Sequence, residues 1–413
     1  MTPTSSIAII SMLALSTGAC ATAPSSVVTS APAPASAIPK IDAQLSARDE
    51  LDDSEITVAV EHMLANELGT SARDIRVVTT AGVVQLTGTA PHLLASDRAM
   101  LLAELIRGVR SVSNQIQVTR SARSDSEIAD EVDRAFVLDP ATESFEIDVS
   151  VSDRVVALQG TVSSWTEKQL ATRVARGIRG VRAVEDEIDV RYELTRADQE
   201  ILADIESRLE WDAIVDEGLI DVGVTEGVVV LTGAVGSAAE RRRARGLAWV
   251  AGVQDVYDAE LRVSWWLDEP RARDEEYVPK SAKEVRAALE TAMLLDPRVA
   301  SFSVTPEVDG SHVVLRGTVD NLRAKLSAGQ IARHTVGVAA VDNRLEVEPR
   351  RVLTDLEIED GLRWSLVANP ITEAHEIGVD VDDGSATLTG MVGSLAERAE
   401  AEDIALGTTG VRA

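Results

Sequence analysis

Val83-Val84-Gln85-Leu86-Thr87-Gly88-Thr89 decides the fold, because the chain writes this phrase five times. It returns as VVALQGTV from Val155, VVVLTGAV from Val228, VVLRGTV from Val313 and ATLTGMV from Ala386. A Leu-x-Gly therefore recurs at Leu86/Gly88, Leu158/Gly160, Leu231/Gly233, Leu315/Gly317 and Leu388/Gly390. Each is followed 20, 20, 19, 20 and 20 residues later by Gly-Val, at Gly108, Gly180, Gly252, Gly337 and Gly410. A fixed period of this kind marks tandem structural units. Five modules of about seventy residues follow, spanning 51–120, 121–192, 193–264, 281–350 and 351–413.

Within a module the hydrophobic spacing changes from helical to extended. Ile56, Val60 and Leu64 form an i, i+4, i+8 stripe, repeated as Ile128/Val132/Phe136, Ile201/Ile205/Leu209, Val285/Leu289/Met293 and Ile358/Leu362/Leu366. Each stripe begins thirty positions before the Leu of Leu-x-Gly, which predicts an amphipathic helix at one place in every module. Alternating apolar residues then predict a strand: Ile75/Val77, Phe145/Ile147/Val149, Ile220/Val222/Val224, Phe302/Val304 and Ile377/Val379/Val381. A tight turn at Gly82, Gly227, Gly310 or Gly384 joins it to the Leu-x-Gly strand, whereas module two offers Asp153-Arg154. The pairs Ser164/Glu167, Ser237/Glu240 and Ser394/Glu397 predict capping boxes on a second helix, and the Gly of Gly-Val is expected at its end in a left-handed conformation. A last strand follows, as in Val112/Ile116/Val118. The fold class is α+β, with αββαβ units each building a three-stranded mixed sheet packed with two helices.

The ends of the chain read differently. Residues Ile7 to Leu15 are apolar and lead to Ser16-Thr17-Gly18-Ala19-Cys20, which resembles the lipobox of a bacterial lipoprotein. Cys20 is the only cysteine, so no disulfide forms within the chain and lipidation of Cys20 is the expectation. Cleavage after Ala19 or Ala21 by an ordinary signal peptidase is the alternative. Residues 1–20 are thus a signal peptide and 21–50 a tether rich in Ala, Ser and Pro. The chain stops at Gly410-Val411-Arg412-Ala413, where the fifth module's last strand is due. A sequence that continues further is the expectation, and an open sheet edge for a partner strand the alternative.

Charge narrows the function. The net charge of −28 lies beyond residue 40, and such a field opposes nucleic acid and anionic bilayers. The five histidines are scattered, no pair has metal-site spacing, and no phosphate loop or nucleophile elbow occurs, so neither catalytic nor metal-binding residues nor a cofactor are assigned. Two features stand apart. Trp265 and Trp266 open an insertion, 265–280, expected to divide the array into two groups, with the tryptophans either meeting a partner or covering a neighbouring sheet. Arg241, Arg242, Arg243 and Arg245 would meet lipid phosphate, or else form a solvated helix face balanced by acids.

Five copies of V-V-x-L-x-G-x-V followed by G-V, with an amphipathic helix ahead, resemble the BON domain, named for bacterial osmotically inducible and nodulation proteins. The resemblance implies an exported, periplasmic or outer-membrane lipoprotein linked to phospholipid binding, envelope integrity and osmotic stress. The shared residues are core and turn positions, so it carries over no binding residue. The expected function is a non-enzymatic, multivalent binding protein held to the membrane by its lipid anchor, touching phospholipid headgroups or envelope proteins. A structural spacer or assembly element without a small ligand is the alternative.

Overall fold

A computed structural model describes residues 51–119, 122–139, 141–142, 145–192, 196–268, 280–300, 302–349, 352–372, 377–392 and 395–413. Cys20, the tether, Ser394 and most of the insertion lie outside the described residues.

The five stripe helices form as the spacing predicts, at Asp53–Leu68, Asp125–Leu138, Asp198–Glu210, Ala282–Leu294 and Asp355–Ala368. All fifteen stripe residues are buried. Each helix packs on a sheet that contains the Leu-x-Gly strand, Val83–Ala90, Val155–Val162, Val228–Val235, His312–Val319 or Ser385–Gly390, and in modules one to four this strand is the central one. The preceding strand pairs antiparallel with it and, in modules one to four, the final strand pairs parallel. This is the mixed αββαβ sheet. Phe302 falls before its strand, which starts at Val304, yet packs into the module-four core. In module five two strands are described, and the Ala386 amide donates to the Ala413 carbonyl at 2.9 Å, on the side where the other modules carry a third strand. Leu86, Leu158, Leu231 and Leu315 are fully buried, while Leu388, in the two-stranded sheet, is half-buried.

The repeated glycines have distinct reasons. A Cβ on Gly88, at φ 107°, would stand 2.0 Å from the Asp74 carbonyl oxygen, and Gly160, Gly233 and Gly317 face the equivalent carbonyl at 2.0–2.3 Å. The glycine of Gly-Val adopts positive φ, 85° to 94°, but the second helix has already ended: in module one it spans Leu93–Glu104, four residues short of Gly108. Its place is set by packing. A Cβ there would run into the first stripe residue, Ile56, Ile128, Ile201, Val285 or Ile358.

An aspartate in the first helix also holds the hairpin. Both carboxylate oxygens of Asp53 accept the turn amides of Ala81 and Gly82, at 2.7 and 2.9 Å. Asp125, Asp198 and Asp355 do the same for Asp153/Arg154, Glu226/Gly227 and Asp383/Gly384. In these four turns both residues have positive φ, even Asp153 and Arg154. Module four has Ala282 at that helix position, and there only Gly310 turns positive.

The modules are not beads on a string. Residues 47–413 form one compact unit, and the insertion does not divide it. Modules three and four meet directly: the Val336 amide donates to the Trp211 carbonyl, the Ala213 amide to that of His334, and Trp211 packs against the module-four core. A chain that folds back can reach over an insertion whenever the two surfaces match, which composition alone does not reveal.

Candidate functional site

In modules one to four the first residue of the second helix stands five after the Leu-x-Gly glycine and reaches out of its own module. Leu93 packs into the core of module two, Ala238 into that of module one and Leu322 into that of module five. Trp165, the equivalent in module two, stacks on Trp249 of module three with ring centroids 5.4 Å apart and planes 2° from parallel. Modules one, two and three therefore close into a ring. Ion pairs follow the same rule: Asp97 and Arg242, nine residues after Gly88 and Gly233, meet Arg176 and Glu104, sixteen after Gly160 and Gly88. The third seam of the ring carries the tryptophan stack instead.

Beside that stack opens a cleft of about 840 Å³ between modules two and three, lined by Trp165, Trp249, Lys168, Tyr192, Asp189 and Glu226 among others. Ser164 starts the helix that carries Trp165 and Lys168: its hydroxyl accepts the Glu167 amide while Glu167 accepts the Ser164 amide. The Lys168 ammonium donates to the Ile188 carbonyl at 2.6 Å and pairs with Asp186 at 3.3 Å, so it is committed to the sheet. Burial pushes the Tyr192 phenol up. Arg208 donates to the Trp249 carbonyl at 3.2 Å, and burial holds its guanidinium below the usual range. Asp189 and Glu226 remain exposed at the rim. The arrangement offers aromatic surface and hydrogen-bond acceptors, which suits binding; no group of His, Cys, Asp and Glu suited to a metal occurs among the described residues.

The arginine run sits on the second helix of module three, Ala238–Ala248. Arg241 pairs with Asp258 at 3.1 Å, Arg242 with Glu104 of module one, and Arg243 with the buried Asp212 at 2.6 Å. Arg245 alone of the four is exposed without an ion pair among the described residues. Burial raises the Glu104 carboxyl, and the nearby Arg242 opposes that shift. Trp265 lies in a short 3-10 turn, Trp265–Asp268, with the Arg107 guanidinium of module one 3.8 Å over its ring, and Leu267 beside it is buried. Trp266 is half-buried. Trp265 is therefore a contact between the start of the insertion and module one.

Sequence reasoning missed Trp165, Trp249 and the aspartate clamp. The clamp's signal is an Asp three residues before the stripe in four modules. It also missed capping boxes on the first helices at Ser124/Glu127, Ser281/Glu284 and Thr354/Glu357. The second helices of modules one and four, which lack a Ser-Glu box, are capped by His92 Nδ1 and Asn321 Oδ1. In module three Ser237 caps as expected, but Glu240 reaches back to the Gly236 amide.

Comparison with a family profile agrees with the five-module architecture. The BON domain profile matches residues 52–120, 124–192, 197–264, 281–349 and 354–413. Osmotically-inducible protein Y of Escherichia coli (strain K12) is 28% identical over 148 residues, which cover 34% of this chain and 74% of that protein. Among solved structures, CdsD, a structural protein of the type III secretion system of Chlamydia trachomatis, aligns over 49% of this chain and 90% of its own, with 14% identity and a TM-score of 0.14. Its C-terminal domain aligns over 51% and 98%, also at 14% identity and a TM-score of 0.14. With the profile covering all five repeats, the chain belongs to the BON domain family.

Proposed function

We propose that this chain is a non-enzymatic binding protein of the bacterial envelope, active under osmotic stress, whose modules engage envelope proteins several at a time. The observation behind this reading is the internal use of the cationic and aromatic residues. Arg241, Arg242, Arg243 and Trp265 already contact other parts of the chain, so the surfaces left to a partner are the outer sheet faces and the cleft beside Trp165. Repeated weak contacts along one chain gain avidity without a strong single site. The osmotic setting is supported by the similarity to an osmotically inducible protein. No helix among the described residues is long and apolar enough to cross a membrane, so attachment falls to Cys20 in this reading, with the protein in the periplasm at the outer membrane.

A photo-crosslinking residue at Gln159, on the outer face of module two, should give protein adducts in intact cells that increase on osmotic challenge. Adducts to lipid alone would replace this reading with headgroup binding, and flotation of residues 47–413 with anionic vesicles is the matching test. Fatty-acid labelling that is lost on Cys20→Ala is expected; retention of label would remove the anchor.

A further inference from the structure

Strand register lets the outward sheet face be compared position by position in five copies. In module two it bears Glu146, Asp148, Glu185, Glu187 and Asp189 on its strands, and no cation. Module three places Asp221, Asp255 and Glu260 there beside Arg262, module four Glu307, Asp309, Asp342 and Glu346 beside Arg316 and His312, and module five Asp380 and Asp382, so each of these faces stays acidic in balance. Module one has no carboxylate on its strands. Its rows are Thr80-Val83-Ser111, Val78-Gln85-Ser113 and Arg76-Thr87, with Thr89-Gln117 beyond. Two acids lie off the strands at their ends: Asp74 precedes the first strand beside Arg76, and Asp53 holds the Ala81 and Gly82 amides of the hairpin turn.

In a chain of net charge −28 this face is polar, bears no carboxylate and carries a single cation, Arg76, at one corner, and it is accessible: Val78 and Val83 are 54% and 42% exposed. Its side chains are already aligned. Gln85 donates to Gln115 at 3.2 Å, and Gln115 donates to the Ser113 hydroxyl at 3.3 Å. We propose that this face binds a neutral, hydroxyl-rich glycan chain.

Size and charge select that occupant. Strands of six and eight residues and a third split into four and two, about 4.8 Å apart, present on the order of 300 Å², well below the roughly 800 Å² per partner of a stable protein interface. A second copy or a folded protein would need more. A peptide strand would take the sheet edge, where backbone groups are unpaired, and not the face. Nucleic acid is excluded by the acidic field. A thin uncharged polymer remains, whose hydroxyls match the Ser, Thr and Gln groups and whose C–H surfaces match Val78 and Val83. The assignment concerns module one alone and holds whether or not the other modules bind protein.

The test is retention of the full chain on insoluble chitin and on a dextran resin. Saturable retention on either, persisting at high salt because an uncharged glycan offers Arg76 no ionic partner, is expected. The double variant Gln85→Glu/Ser113→Glu, which gives module one an acidic face like that of module two, should weaken it roughly tenfold or more, since a carboxylate would be desolvated against the ligand. Gln115→Glu, outside the strands, should act in the same direction if the double variant fails to fold. Asp148→Asn/Glu185→Gln on module two should change nothing. No retention on either resin, salt-sensitive retention, or equal retention by the module-one variants would overturn the proposal, as would loss in the module-two control.

Discussion

At the scale of single residues, glycines separate into those the fold needs and those it tolerates. Gly88 lies at φ 107° with a carbonyl oxygen 2.0 Å from where a Cβ would stand, so Gly88→Ala must move a backbone strand. Its cost is expected at about 2–4 kcal/mol, read from the denaturation midpoint. Gly246 and Gly361 sit in helices, and a Cβ added at either would meet nothing within 4 Å. Ala at either site should stabilise by about 1 kcal/mol, because only backbone entropy and helix propensity change; a loss of stability at both would show that the surroundings are tighter than their distances imply. The clamp gives a third residue-level expectation. Asp198→Ala leaves the Glu226 and Gly227 amides without their carboxylate and should cost about 1–2 kcal/mol, with loss of amide-exchange protection confined to that turn.

Helices and strands are largely legible in the sequence, because one residue type at a repeated offset has one physical reading. The stripes and Leu-x-Gly strands need only burial on one side, and all five copies agree. Helix ends are less legible: Gly108 reads as a cap because glycine favours positive φ, and its φ is indeed positive, but packing against Ile56 and not the helix end fixes its place. The cleft is illegible, since Trp165 and Trp249 lie 84 residues apart and nothing local announces that they stack. Glu400, on the second helix of module five, shows how such long-range placement shifts chemistry. Burial raises its carboxyl, the nearby Asp403 adds to this, and Asn369, Arg323 and Arg98 oppose it. A folded-state value above the unfolded one means that its favourable contribution is complete below about pH 4.3 and is lost as pH rises through the folded value. Glu400→Gln should therefore gain stability relative to the unsubstituted protein between acid and neutral pH. A constant difference across that range would place the carboxylate in water.

Across the whole molecule, the seams repeat as regularly as the cores. The Trp211 and Ala368 carbonyls, ten residues after Ile201 and Ile358, accept the amides of Val336 and Arg179, each the residue before a Gly-Val glycine. Thr409, in the same place in module five, returns a bond to the Leu138 carbonyl, ten after Ile128, so modules two and five hold each other reciprocally. Asp139 joins module two to module four through Arg298 at 3.2 Å. Each small core is marginal by itself, and these seams couple five of them, so unfolding is expected as one transition, unlike a loose chain of independent domains. The ring predicts where that coupling can be cut. Arg242→Glu places a second carboxylate against Glu104, which is largely shielded from solvent, and should cost about 2 kcal/mol. Glu104→Arg alone should cost a similar amount, and the two together should restore about 1 kcal/mol or more, as the cycle for an interacting pair requires. Calorimetry reads both quantities. Additive losses in the double variant would mean that modules one and three do not meet in solution, and a split into several transitions in the unsubstituted protein would mean that the ring is open.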